Sequence, residues 1–312
     1  MKACFFATSL ALLLMISGSC SDNRELTLLS PGKMIAATLK YDSNARSLSF
    51  NVVSSGKEII SSGKLGINTD TADFRSGFKL RKVITGTVDE TYVLPQGKVS
   101  EYHNRADELV MQLRKEGRKM NIWFRVYDDG IAFRYEIPGR GKITVIEESS
   151  QVKLSGENFT YWGQNHPNKY GYESALGEIE GEMMSIPVLA SLNDRSHFIL
   201  MRQAGTNGNY IQPHFERRGS EFAWVFPLDQ EKVGPVRVNL PFQSPWRMII
   251  ISPDNPGRIV ESYLAENLNP PTESSFLNND GTIKDWVRPG NVMWDYIAKD
   301  GNKPRMWIDA AA

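Results

Sequence analysis

The chain has 312 residues, of which 41 % are hydrophobic and 23 % charged, a balance that fits one large or two ordinary soluble domains. Its 36 Lys and Arg offset 36 Asp and Glu, so the net charge is zero and there is no electrostatic footprint for nucleic acid. The two cysteines, Cys4 and Cys20, both fall in the first twenty residues, which excludes a disulfide framework or a cysteine-ligated metal in the body.

Those first residues read as an export signal. Lys2 supplies the positive end, and Phe5 to Ile16 form an apolar stretch too short to span a membrane. Ser17-Gly18-Ser19-Cys20 resembles a bacterial lipoprotein box in which Cys20 becomes the lipidated N-terminus; Ser17 departs from the Leu usual there. Ser21-Asp22-Asn23 resembles the short acidic tether that follows such a cysteine.

Strand signals dominate from residue 24 to about 252. Early runs are Thr27 to Tyr41, broken by the turn Ser30-Pro31-Gly32-Lys33, and Leu48 to Val53. The clearest hairpin runs from Asn121 to Ile137, with two aromatic-rich strands flanking Tyr127-Asp128-Asp129-Gly130; Asp-Gly favours a tight hairpin turn. Further strands are expected at Ile186–Leu192, His197–Arg202, Phe222–Phe226, Val236–Leu240 and Trp246–Ser252. One helix is expected from Pro256 to Leu268, with Pro at its start and Ile259, Tyr263 and Leu264 at helical spacing, ended by Pro270-Pro271. Closely spaced strands with turns between them predict an all-β, two-sheet β-super-sandwich over residues 24–270 with that helix on its flank. Residues 271–312 read as a polar linker and the start of something further, with a strand-like Arg305–Ile308.

Several of these stretches, taken in order, resemble glycoside hydrolase family 97, whose members are bacterial α-glucosidases and α-galactosidases. Arg125 to Tyr135 is similar to the family's R-x-Y-x-D-G-x-A-F-R-Y signature; Lys64-Leu65-Gly66-Ile67 and Gly97-Lys98-Val99-Ser100 precede it, and Pro245-Trp246-Arg247, Glu266-Asn267-Leu268-Asn269 and Trp286-Val287-Arg288-Pro289-Gly290 follow. The resemblance implies a super-sandwich, then a catalytic (β/α)8 barrel, then a small β domain. A barrel takes about 250 residues, so the chain is expected to hold only the truncated first segment of one and no catalytic carboxylate.

The resemblance also implies site residues. A Glu from the sandwich helps coordinate calcium in the family, and Glu173, after the polar run Gly163 to Gly171, is matched to it; a solvated loop Glu is the other reading. Calcium takes six to eight oxygens, so Glu173 alone cannot hold it. Gln203 stands where the family often has an acid, and either bonds a sugar hydroxyl or ends a strand. Trp294, in Trp294-Asp295-Tyr296, is either a stacking wall of the sugar site or packing at the domain junction. Glu178, Glu180 and Glu182 read as surface charge, and His103, His166, His197 and His214 lack metal spacing. Arg114-Lys115 and Arg118-Lys119 read as a solvated turn or strand edge.

The expected function is that of the N-terminal domain of a hydrolase of α-linked oligosaccharides, with calcium assisting the intact enzyme and this chain alone inactive. It would sit in the bacterial cell envelope, periplasmic or held at the outer membrane only through a lipid on Cys20. The alternative is a stand-alone carbohydrate-binding or scaffolding lipoprotein.

Overall fold

The computed structural model describes residues 23–94, 97–156, 159–164, 173–175, 183–206, 208, 210–226, 234–271, 274–280, 282–288 and 309. In chain order the strands begin with β1 (Arg24–Leu29), β2 (Ile35–Asp42), β3 (Ser47–Ser54), β4 (Lys57–Leu65), β5 (Ile67–Thr69), β6 (Lys79–Val93), β7 (Glu101–Lys115), β8 (Arg118–Tyr127) and β9 (Gly130–Glu148). They continue with β10 (Gln151–Leu154), β11 (Phe159–Gln164), β12 (Glu173–Ala175), β13 (Met183–Leu192), β14 (His197–Ala204), β15 (His214–Arg218), β16 (Glu221–Val225), β17 (Val236–Gln243) and β18 (Trp246–Pro253).

All strand pairings among the described residues are antiparallel, and they form two layers. The first runs β1-β2-β3-β4-β10-β16-β15 and reaches the start of β13 through Met183 and Met184. The second runs β12-β11-β13-β14-β18-β9-β8-β7-β6, so β13 belongs to both. β17 takes over from β18 farther along β9, and β5 pairs with the end of β9. The all-β sandwich expected from the strand pattern is the fold.

Alternation places one side of each strand between the layers. In β3, Leu48, Phe50 and Val52 are buried while Ser47, Ser49 and Asn51 are only half-buried, the two-residue period of a pleated strand. Phe50 of the first layer meets Phe124 and Phe133 of the second at ring distances of 5.4 and 5.8 Å, and Trp224 meets Phe133 at 5.9 Å and Phe215 at 4.6 Å. β18 is buried on both sides, which explains its unbroken apolar run. Ile249 and Ile251 face the inter-layer core, whereas Trp246, Met248 and Ile250 face outward under Leu264 and Leu268.

The single expected helix is two short ones, α1 (Gly257–Glu261) and α2 (Leu264–Leu268). Ser262 breaks it: its backbone is extended at ψ 134, its hydroxyl donates to Asp129 Oδ2 at 2.6 Å, and the same oxygen accepts from Leu264 N–H at 3.2 Å. Gly130 also has a different reason from the one expected. Tyr127 pairs with Gly130, leaving Asp128-Asp129 as the two-residue loop, and Gly130 does not take a left-handed φ. A Cβ on it would lie 2.2 Å from the Ile249 carbonyl oxygen, so the close approach of β18 demands glycine. Arg305–Ile308 lies outside the described residues.

Two histidines are expected to make stability sensitive to mild acid. His197 is buried with no partner for its Nε2, and His214 has a buried, unpartnered Nδ1. Burial lowers both pKa values below 6.5; at His197 the Lys57 charge adds to it. As pH falls through about 6.5 the unfolded chain takes up protons before the folded one. The contribution is therefore full above that pH and is lost as pH falls toward the lowered folded values. The melting temperature is expected to drop between about pH 7 and pH 5, and less steeply in a His197→Gln/His214→Gln protein. Identical slopes for the two proteins would refute this.

Candidate functional site

The most concentrated chemistry lies in a polar cluster between the layers. Glu148 ends β9, Arg247 lies on β18, and both side chains are 0 % exposed. Arg247 donates from Nε to Glu148 Oε1 at 2.7 Å and from Nη2 to Glu148 Oε2 at 2.5 Å, a two-pronged pairing. Its Nη1 donates to Gln203 Oε1 at 2.8 Å, and Gln203 is the direct cross-strand neighbour of Arg247 in the β14–β18 ladder. Ser150 Oγ donates to Glu148 Oε1 at 2.8 Å and Tyr210 Oη to Glu148 Oε2 at 3.0 Å. Tyr135 Oη shares a 2.7 Å hydrogen bond with Ser150 Oγ and accepts from Gly66 N–H at 2.8 Å.

Burial works against the Arg247 charge, but the Glu148 carboxylate and its hydrogen bonds outweigh it, and the net shift is upward. Burial and then the Glu148 charge push the Tyr210 and Tyr135 phenols up, so both remain neutral donors. Each Glu148 oxygen already takes two donors, which fills the roughly four acceptor positions of a carboxylate. No lone pair is left for a proton relay or a metal. The cluster clamps β9, β14 and β18 to the Tyr210 loop and the β4–β5 corner.

A second group covers the outer side of the same sheet. The Arg134 guanidinium lies 4.4 Å from the Trp246 ring centre and 5.5 Å from that of Trp123. Burial, then the Arg125 charge, pulls its pKa down to about 10. Arg125 pairs with Glu108 at 2.7 Å, and Glu136 takes bonds from Asn121 and Trp123.

Of the residues singled out from sequence, Gln203 is buried and its oxygen is held by Arg247. Glu173 lies in β12 opposite Trp162, and its side chain is outside the described residues. Trp294, Asp295, Cys20, His166 and the Glu178–Glu182 run also lie outside them. Among the described residues no three His, Cys, Asp or Glu side chains gather into a metal site. Glu148, Ser150 and Tyr210 escaped the sequence reading, because a Glu ending a long strand looks like any solvated strand end. The signal was present in pieces: Gly66, Tyr135 and Arg247 each belong to a stretch quoted for the family resemblance, and the fold brings all three to Glu148.

A family model described as glycosyl-hydrolase 97 N-terminal matches residues 28–271, which takes in all of this cluster. The chain belongs to glycoside hydrolase family 97. A probable retaining α-galactosidase from Streptomyces bingchenggensis is 25 % identical over 86 % of this chain and 40 % of that protein. A retaining α-galactosidase from Bacteroides thetaiotaomicron is 22 % identical over 93 % of this chain and 46 % of its own length. The chain thus spans less than half the length of these curated relatives. Among solved structures, a family 97 enzyme from a Pseudoalteromonas strain in complex with panose aligns over 85 % of this chain and 40 % of its own, at a TM-score of 0.71 and 22 % identity. A β-arabinopyranosidase aligns over 73 % of this chain and 40 % of its own, at a TM-score of 0.66 and 24 % identity. These likenesses show the same fold. Within family 97 terms, the Arg247–Glu148 clamp belongs to the N-terminal sandwich.

Proposed function

We propose that this chain is the N-terminal sandwich of a family 97 glycoside hydrolase acting on α-linked glucosides or galactosides, with its domain boundary near residue 270, and that alone it is non-catalytic. The family match over 28–271 carries this reading. The names of two relatives favour galactosides and retention, while the panose complex of a structural neighbour keeps glucosides in view. A retaining glycosidase needs two carboxyl groups about 5–5.5 Å apart across the bond. Glu148, the one fully buried acid among the described residues, is saturated with donors and serves neither role. In the assembled enzyme Trp294 walls the sugar site and Gln203 meets substrate through its amide nitrogen, its oxygen being taken by Arg247. Calcium would draw oxygens from Glu173 and from the rest of the enzyme. The leader ending at Cys20 delivers the protein to the cell envelope and anchors it by lipid.

The purified chain, with calcium present, is expected to give no turnover of an aryl α-galactoside or aryl α-glucoside. General acid–base help alone is worth about 10²–10⁴ in rate, and the groups that supply it belong to the rest of the enzyme. Turnover that survives repurification and tracks the protein would overturn the non-catalytic reading.

A further inference from the structure

The net charge is zero, yet one end of the second sheet gathers cations with almost no acids. A groove of about 490 Å³ is lined by Arg46, Lys79, Arg81, Arg114 and Lys115, with Glu116 as its one carboxylate. An adjoining depression shares Arg81 and Arg114 and adds Lys119. The sequence showed only Arg114-Lys115 and Arg118-Lys119 at a hairpin; the fold brings Arg46, Lys79 and Arg81 alongside them.

The strand register makes the gathering costly. Lys79 is directly opposite Arg114, and Arg114 directly opposite Lys119, so three cations form one row across β6, β7 and β8. Like charges directly opposite one another destabilise a sheet. Arg81 adds a fourth from the irregularity between Leu80 and Lys82. Lys115 Nζ is held by the Asp73 and Ser76 carbonyl oxygens at 2.7 and 2.8 Å. Among the described residues Arg46, Lys79, Arg81, Arg114 and Lys119 have no ion-pair or hydrogen-bond acceptor for their side chains. Neutral packing gains nothing from such a row, whereas a surface of anions would offset the repulsion.

Asn23, the first described residue, lies beside this groove. Asn23 Oδ1 accepts from Ser43 N–H at 2.9 Å and from Ser43 Oγ at 3.0 Å, and the turn it holds carries Arg46. Gly77 N–H, at the other wall, donates to Ala45 O at 3.3 Å. Cys20 is three residues before Asn23, so an acyl anchor there would set this end against a bilayer.

We infer that the Arg46–Lys79–Arg81–Arg114–Lys119 groove is a membrane-facing site that takes the phosphate groups of anionic lipid headgroups. The choice of a lipid over a free phosphate rests on the leader reading above; the phosphate chemistry does not. Cationic side chains near an anionic surface each strengthen attachment roughly fivefold.

The test uses the full chain carrying Cys20→Ala, so that no acyl group contributes, beside the same protein with Arg81→Gln, Arg114→Gln and Lys119→Gln. Both are sedimented with phosphatidylcholine vesicles and with vesicles containing about 30 % phosphatidylglycerol. The parent is expected to prefer the anionic vesicles, and the triple variant to bind them on the order of a hundredfold more weakly. The leader is common to both proteins and cancels. The variant is also expected to melt no lower than the parent, and higher at low salt, because a like-charge row has been relieved. Equal binding of the parent to both vesicle types, or equal binding of parent and variant to anionic vesicles, would overturn the site. Saturable binding of inorganic pyrophosphate without any preference for anionic vesicles would overturn the membrane assignment in favour of a soluble phosphate. Acyl labelling at Cys20 in the native host is scored separately, so an unlipidated Cys20 counts against the leader reading and not against the groove.

Discussion

Replacing Arg247 by Met is expected to cost about 3–5 kcal/mol of folding stability, a large part of the roughly 5–15 kcal/mol that keeps an ordinary domain folded. The loss comes mainly from what is left behind. Glu148 would remain a buried carboxylate with only Ser150 and Tyr210 to satisfy it, and Gln203 Oε1 would lose its donor. Glu148→Gln alone should also be severely destabilising, because it strands the Arg247 cation in a site where it is 0 % exposed. The double variant should be far better than the sum of the two losses, since both buried charges go together. Urea unfolding of all four proteins measures the cycle. Additive losses, or a loss at Arg247→Met below about 1 kcal/mol, would show that the clamp does not hold these strands.

Trp224→Ala is expected to lose a similar amount, about 3–5 kcal/mol, for a different reason. The indole is 0 % exposed and fills the space between the layers against Phe133 and Phe215, so truncation leaves a cavity that rigid strands cannot close. Trp224→Phe should be much milder, about 1–2 kcal/mol. It removes ring area but also removes a buried indole N–H that has no acceptor. Thermal or denaturant unfolding distinguishes the two. If Phe proves as damaging as Ala, the packing account fails.

These two sites differ in how far they could be read ahead of the fold. Trp224 sits in a run, Phe222 to Phe226, whose alternation already marks a half-buried strand, so its burial follows from local pattern. Arg247 belongs to a recognisable Pro-Trp-Arg stretch, but nothing adjacent to it in sequence explains its charge. Its partner is 99 residues away, at the end of a 19-residue strand. Hydrophobic periodicity reports which side of a strand faces inward; it does not report which distant polar group waits there.

The amino-acid sequence by itself determined the sandwich class, the family and many of the strands, though not the long β6 and β7, because each depends on short-range alternation, turn residues and ordered motifs that survive in one dimension. Only the tertiary structure decided the rest. It showed that Ser262 splits the expected helix by bonding to Asp129, and that Gly130 is glycine because the Ile249 carbonyl presses on it. It closed Glu148, Arg247, Gln203 and Tyr210 into one saturated network. It also stacked Lys79, Arg114 and Lys119 into a row that a net charge of zero conceals. Each of these depends on strand register and the crossing of layers, where residues tens of positions apart meet within a few ångströms, and the energy of a buried or clustered charge is set by those neighbours.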